Sequence, residues 1–366
     1  MRFTVVAGEL SAALRGPADR ARSTSVIPIL KHIKVTADAA DLTLLGHDLD
    51  SSTVSVMPAE VAMAGSCAIP AEPLVKLVNG LPKPAHVTFE LGDRVVVIKS
   101  GRSRYKLPVL DAGDMPGPLT ADGGFRATVT SADLEQLFER PRAAINMKHD
   151  RLFCRGMFLH DVDGKLASVA ADGHTLMRFS TDIEAKGFAG AIVPRQAADE
   201  ILKRGAGELA ISGRIVSITA GGITYASKLI DSIFPPSYAR MIPGLDGAKA
   251  TIDREALLES LGRLTTIGNY IEENLIDIDV GRDEVSISIA GHADGRETIE
   301  CDATEDLFVC LRVDQFMEAV KAMKGEQVEL RITKPNMPVR VSDASEPDAV
   351  NVLMPCISKN RQAIAA

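Results

Sequence analysis

The chain has 366 residues, a formal net charge of −8, 46% hydrophobic and 25% charged residues, which excludes an intrinsically disordered chain and exceeds what one hydrophobic core organises, so two or three domains are expected. No run of about 18 apolar residues is present, and Glu9 interrupts the N-terminal segment where a secretion signal would need unbroken apolar residues. The five cysteines (Cys67, Cys154, Cys301, Cys310, Cys356) are odd in number and lack C-x-x-C spacing, so a cytoplasmic protein with reduced, packing cysteines is expected.

In chain order, the first predicted element is a strand running into a helix, T-V-V-A-G-E-L-S-A-A-L from Thr4. Its β-branched opening suits a strand, and Leu10 and Leu14 give the buried stripe of a helix. L-L-G-H-D-L-D (44 to 50) then places His47 beside Asp48. A second helix is announced by I-P-A-E-P-L-V-K-L-V from Ile69, with proline at the start, where its missing N–H costs nothing. The alternating stretch V-V-V-I-K-S-G-R-S-R-Y-K-L (95 to 107) reads as a hairpin turning at Gly101, and a Gly/Pro/Asp-rich linker follows at 111 to 124.

The same plan then recurs. T-V-T-S-A-D-L-E-Q-L-F starts at Thr128, a second helix at Val193 (V-P-R-Q-A-A-D-E-I-L), and a hairpin at Ile215 in which Ile218, Gly221 and Tyr225 match Ile98, Gly101 and Tyr105 at an offset of 120. Within this copy V-A-A-D-G-H-T-L-M (169 to 177) sets Asp172 and His174 on either side of Gly173. After a linker at 235 to 247, T-I-D-R-E-A-L-L-E-S-L begins a third copy at Thr251, with a second helix from Leu311 and paired strands turning at Pro335, Asn336 and Pro338. The starts are 124 and 123 residues apart. Three α+β domains are therefore expected, at 1–122, 123–246 and 247–366, each with two helices packed on antiparallel sheet.

Negative net charge argues against a phosphate-binding surface, yet binding depends on how charge is distributed. In the predicted helices acids come early and bases late: Arg15, Arg20, Arg22, Lys76, Arg140, Arg142, Lys148, Lys203, Arg204, Lys321 and Lys324 all follow acidic residues. Helix-dipole complementarity accounts for this order. A common basic track along equivalent helices accounts for it equally, and such a track would touch nucleic-acid phosphates without reading sequence. Asp172 and His174, with His47, Asp48 and His292, also permit a metal-dependent hydrolase, but no nucleophile motif, H-E-x-x-H, P-loop or dinucleotide loop is present. Recurrence of H-D at 47 to 48 and G-H at 291 to 292 favours a repeated turn device.

Three tandem copies carrying L-L-G-H-D-L-D, S-G-R-S-R-Y-K-L (100 to 107), V-A-A-D-G-H-T-L, I-V-P-R (192 to 195), S-K-L-I-D-S-I-F-P (227 to 235) and V-L-M-P (352 to 355) resemble the bacterial DNA sliding clamps, the beta subunits of DNA polymerase III, as a diverged member. The resemblance implies a noncatalytic processivity factor: a head-to-tail dimeric ring of six domains with helices lining the pore and sequence-independent contact with duplex DNA. It needs no cofactor or metal, and it extends the DNA-facing set to Arg151. It implies a pocket between the second and third domains that takes short linear peptides from the replicative polymerase, clamp loader and repair proteins. At matching positions that pocket comprises Cys154, Ala171, Gly173, His174, Thr175, Leu176, Pro235, Arg240, Met241, Val352, Met354 and Pro355. It places Tyr105 against Thr266 and Ile267 at the dimer interface, and the protein in the bacterial cytoplasm with the nucleoid. Thr175 stands where the family commonly has a basic residue and Ala171 where it has threonine, departures that leave open a noncatalytic adaptor built on the same fold.

Overall fold

The structure, a computed structural model, describes residues 1–21, 25–270, 274–289 and 295–358. Each repeat opens strand-then-helix. In the first, β1 (Arg2–Val6) runs into α1 (Ala7–Arg20), which buries Leu10 and Leu14. Then come β2 (His32–Asp38), β3 (Asp41–His47), β4 (Ser51–Pro58), β5 (Glu60–Met63), β6 (Gly65–Pro70), α2 (Ala71–Asn79), β7 (His86–Leu91), β8 (Val95–Ser100) and β9 (Ser103–Pro108). Pro70 caps α2 one residue before its first turn. Gly101 turns the β8–β9 hairpin at φ +55°, a conformation that glycine adopts without steric cost.

The second repeat comprises β10 (Phe125–Val129), α3 (Ser131–Leu134), β11 (Gly156–Val162), β12 (Lys165–Ala171), β13 (Thr175–Glu184), β14 (Ala191–Pro194), α4 (Arg195–Arg204), β15 (Gly207–Ser212), β16 (Ile215–Ala220) and β17 (Ile223–Lys228). Here the first helix differs from expectation. Only one α turn forms, continued by a π turn at Glu135–Glu139 and a 3-10 turn at Arg140–Ala144. Pro141 lacks the N–H that would extend an α ladder, so the segment changes its hydrogen-bond spacing at that point. The third repeat restores the plan with β18 (Ala248–Asp253), α5 (Arg254–Tyr270), β19 (Leu275–Val280), β20 (Glu284–Ile289), β21 (Arg296–Ala303), β22 (Leu307–Arg312), α6 (Val313–Lys321), β23 (Gln327–Ile332), β24 (Val339–Ser342) and β25 (Val350–Leu353).

The chain forms two compact units, which share out the second repeat between them. The first, 1–134 with 196–229, holds a five-stranded sheet β5-β1-β7-β8-β9 and an eight-stranded sheet β10-β15-β16-β17-β4-β3-β2-β6. Its core stacks Phe3 on Phe89, with ring centroids 4.8 Å apart. The second, 135–195 with 230 onward, is built on one twelve-stranded sheet, β14-β11-β12-β13-β25-β24-β23-β18-β21-β20-β19-β22.

In each unit, successive repeats are sewn together by an antiparallel strand pair. β17 lies on β4 with Tyr225 opposite Thr53 and Ser227 opposite Ser51. β25 lies on β13 with Asn351 opposite Met177 and Leu353 opposite Thr175. The registers are equivalent, because Ser51 and Thr175 each follow a turn aspartate by three residues. Asp48 Oδ1 accepts from the N–H groups of Asp50 (3.1 Å) and Ser51 (2.7 Å), and Asp172 Oδ1 accepts from those of His174 (2.9 Å) and Thr175 (2.7 Å). A further device occurs in every repeat. A residue two or three positions past its last strand bonds back to the strand before the second helix: Leu110 exchanges bonds with Ala68, Ile230 N–H donates to Ile192 O (2.9 Å), and Cys356 N–H donates to Cys310 O (2.7 Å).

Two imidazoles, buried His47 and part-buried His160, are held by hydrogen bonds. His47 Nδ1 accepts from Leu49 N–H at 2.9 Å, and His160 Nε2 meets the Tyr238 hydroxyl at 2.8 Å. Burial lowers the pKa of both below the ordinary 6.5, outweighing the nearby carboxylates of Asp48, Asp50 and Asp161, while Lys228 beside His47 and Arg178 beside His160 lower it further. Below 6.5 the unfolded chain therefore binds more protons than the folded one, so stability falls as pH drops through that value. Thermal melts across this range should show the decline, and His160→Gln should flatten part of the slope.

Candidate functional site

The sequence around Asp172 builds one rim of an apolar pocket in the second unit. Asp172 commits its Oδ1 to the turn, and Gly173 adopts φ +90°, with room for the loop to pass His149. The chain leaves this turn along β13, so that Leu176 faces the same side of the sheet as its register partner Val352 on β25. These two form the pocket floor, and Met354 continues from β25, its N–H bonded to His174 O at 2.8 Å.

The opposite wall comes from residues 234–241, which overlap the linker expected at 235–247 and include the expected pocket residues Pro235 and Met241. Phe234 and Tyr238 are buried in an apolar cluster with Val169, Leu176, Ile192, Val350 and Val352. The ring of Phe234 stacks on Phe158 at 5.1 Å and meets Phe153 and Tyr238 edge-on at 5.5 and 5.6 Å. The Tyr238–His160 bond fixes this wall to β11. The resulting cavity, about 120 Å³, is lined largely by apolar surface, which suits large aliphatic or aromatic side chains. Two polar groups inform its chemistry. Cys154 is buried, and burial reinforced by Asp172 raises its thiol pKa, so it acts as a neutral wall. Thr175 is 4% exposed, and its Oγ1 has no hydrogen-bond partner among the described residues.

The structure brings together ten of the twelve expected pocket residues: Cys154, Ala171, Gly173, His174, Thr175, Leu176, Pro235, Met241, Val352 and Met354. Arg240, exposed on the 3-10 turn Pro236–Met241, and Pro355 lie outside the lining. Sequence reasoning missed His149, Phe153, Phe234, Tyr238 and Pro338, which also line it. The available signal was F-P-P-S-Y, two aromatics inside a stretch otherwise rich in linker residues. Arg151, expected to face DNA, also lines this pocket.

The basic residues divide by burial, and three depart from the expected DNA-facing track. Arg140 is 5% exposed: Nε donates to Ala322 O at 2.6 Å, both terminal nitrogens bond Glu346, and the guanidinium lies 4.2 Å from the Phe179 ring centroid. Arg20 and Arg204 converge on the buried Glu200, and Arg20 also lies over Tyr225 at 5.7 Å. These three guanidinium groups are engaged with carboxylates inside the chain, Arg140 buried and Arg20 and Arg204 part-buried. Arg15, Lys76, Lys148, Lys203, Lys321 and Lys324 are exposed, and Arg142 is about one-third exposed. Lys76, Lys203 and Lys321 pair with acids one turn earlier, Glu72, Glu200 and Glu318. Arg22 and His292 lie outside the described residues. Tyr105, on the edge strand β9, is 37% exposed, and Ile267, on α5 beside Thr266, is 40% exposed.

Removing the Arg140 side chain should cost about 3 kcal/mol in urea denaturation, the lower end for breaking a buried pair because Glu346 is 24% exposed. Arg15→Ala, at an exposed position, should change stability by no more than about 0.5 kcal/mol.

Models of three domains match the chain in order: the N-terminal domain of the DNA polymerase III beta subunit at residues 1–120, the central domain at 128–236 and the C-terminal domain at 239–357. The beta sliding clamp of Caulobacter vibrioides (strain NA1000 / CB15N) is 30% identical over 371 aligned positions, covering 97% of this chain and 99% of the relative. That of Escherichia coli (strain K12) is 25% identical, with the same coverage. Among solved structures, Caulobacter crescentus pol III beta superposes with a TM-score of 0.88 at 29% identity, covering 98% of this chain and all of the other.

Proposed function

The chain belongs to the DNA polymerase III beta subunit family, the beta sliding clamps, and from that premise we propose that two copies close head to tail around duplex DNA and that the pocket captures peptide segments of the proteins the clamp serves. The chain is a sliding clamp, a noncatalytic factor in DNA replication. Its Asp172 is a turn residue by geometry, and no cluster of three metal-ligating side chains occurs among the described residues.

One observation carries ring closure. Two of three equivalent strand edges are already paired inside the chain, β17 on β4 and β25 on β13. The third equivalent pair is β9, the outer strand of its sheet, and the first part of β21, whose pairings at Arg296–Glu300 among the described residues are all with β20. Unpaired edges of this kind are avoided in stable monomers. The register can be transferred from the repeat. Tyr225 lies opposite Thr53, five residues after the turn Asp48; Tyr105 would lie opposite Ile299, five after Asp294 in the matching A-D-G of 293–295. That register sets Arg104 against Glu300, both exposed, and opposite charges facing across a strand pair are favourable. The repeat also transfers a side-chain contact. Arg20 packs over Tyr225, and the equivalent residues are Ile267 and Tyr105, part-exposed in the single chain.

The ring provides retention without tight contact, so modest phosphate attraction from Arg15, Arg142, Lys148, Lys203, Lys321 and Lys324 suffices and should weaken with salt. In this reading 1–122, 123–246 and 247–366 act as the three domains of each half-ring. An extended peptide with large apolar anchors fits the pocket, and the replicative polymerase, the clamp loader and repair proteins are its proposed sources.

Loaded by a clamp loader onto a nicked circle, the protein should stay bound in gel filtration and be released when the circle is linearised. Arg104→Glu should reduce retention by weakening the dimer, and adding Glu300→Arg on the same chain should restore it. Retention unaffected by linearisation would contradict enclosure. Separately, Leu176→Ala with Met354→Ala should weaken a fluorescent polymerase-tail peptide at least about tenfold, the loss of two large anchors, while leaving the dimer intact.

A further inference from the structure

The pocket face of the sheet carries a feature that apolar docking does not use. Following the register from the floor, Leu176 lies opposite Val352, Val352 opposite Arg340, and Arg340 opposite Arg331. The neighbouring row begins with Arg178, opposite Val350 and two residues along β13 from Leu176. Directly opposite residues on antiparallel strands project to the same side, so three arginines flank the pocket floor on its own face.

Their charge is poorly matched. Arg331 donates to Leu245 O at 2.7 Å and Arg340 to Pro243 O at 3.2 Å, while Arg178 interacts with the Tyr238 hydroxyl. The carboxylate that meets them is Glu329, at 3.3 Å from Arg331 and shared with Lys249 at 3.1 Å. The Nε atoms of Arg178, Arg331 and Arg340 are all buried without a hydrogen-bond partner among the described residues. Burial, then the approach of Arg178 and Arg331, lowers the Arg340 pKa. Part-buried like charges raise the energy of the empty site, and an arriving carboxylate would gain charge-assisted bonds there.

Resting on the peptide-pocket reading, we propose that Arg340 and Arg178, supported by Arg331, form an acidic-residue subsite, so that the preferred partner peptide carries a glutamate or aspartate flanking its apolar anchors. The carboxylate meets the guanidinium groups where the peptide leaves the pocket past Pro338, a lining residue two positions before Arg340. Apolar anchors supply the affinity, and the acid supplies selection among partners.

The test uses two fluorescent peptides with identical apolar anchors, one with glutamate flanking them on either side and one with glutamine in those places, measured by anisotropy against the full chain. The glutamate peptide should bind about tenfold more tightly at low salt, as expected for one charge-assisted bond, and the advantage should shrink as salt rises. In Arg340→Gln and in Arg178→Gln the ratio of the two affinities should fall towards one, and Arg340→Lys, which keeps the charge, should retain part of it. Circular dichroism and the dimer's elution volume identify a variant that fails to fold, and the native-chain comparison stands without any variant. Equal affinities in the native chain would overturn the acidic subsite while leaving the pocket standing. A preference that survives both glutamine variants would overturn the assignment to these arginines. Binding of neither peptide would remove the pocket itself and the subsite with it.

Discussion

The pairing of one repeat's last strand with the next repeat's strand after the aspartate turn is the interaction on which the rest of the molecule depends. It makes β17–β4 and β13–β25 continuous with their sheets, and it places Leu176 beside Val352, so the pocket floor is itself a product of the joint. Register is the critical variable, because a slip of one residue would turn every side chain to the other face. Asp48 and Asp172 guard against that slip by fixing the first residues of β4 and β13 with paired N–H bonds. The acid and imidazole that look catalytic in V-A-A-D-G-H-T-L-M are thus divided between two tasks, Asp172 setting register and His174 forming the rim.

Much of this was legible in the sequence. The strand-helix openings, the hairpin glycines and most of the pocket follow from periodicity, turn chemistry and family motifs that local residues dictate. What failed did so for long-range reasons. Arg140 and Arg20 follow acids along their helices as Lys76 and Lys321 do, yet Glu346 and Glu200, distant in sequence, draw them inward. Spacing along a helix cannot distinguish a base that meets solvent from one that meets a carboxylate 206 residues away. The broken first helix of the second repeat was foreshadowed by Pro141, but the pattern of Leu134 and Phe138 spoke for a continuous one.

The linkers show the opposite error. Composition marks 235–247 as connection, whereas Tyr238, held by His160, and the carbonyls of Pro243 and Leu245, held by Arg340 and Arg331, fasten it to the sheet. A segment that covers a sheet face must satisfy its backbone groups there, and the arginines do so at the cost of gathering positive charge beside an apolar cavity. In the proposed peptide mode structure and selectivity would be coupled, since the groups that hold the wall in place would also colour the field that an incoming peptide meets.

The open edges of β9 and β21 belong to different sheets, so the proposed contact between copies would join unlike surfaces, directional and not self-complementary. A directional contact carries no information about how many copies complete the assembly; it closes only if the successive rotations sum to a full turn, and otherwise it propagates as a filament. Copy number in such a molecule would therefore follow from the twist that each strand-pair joint, β17 on β4 and β25 on β13, builds in from one repeat to the next. A substitution there that changed the twist by a few degrees could leave every edge bond intact and still convert a topological link into a polymer.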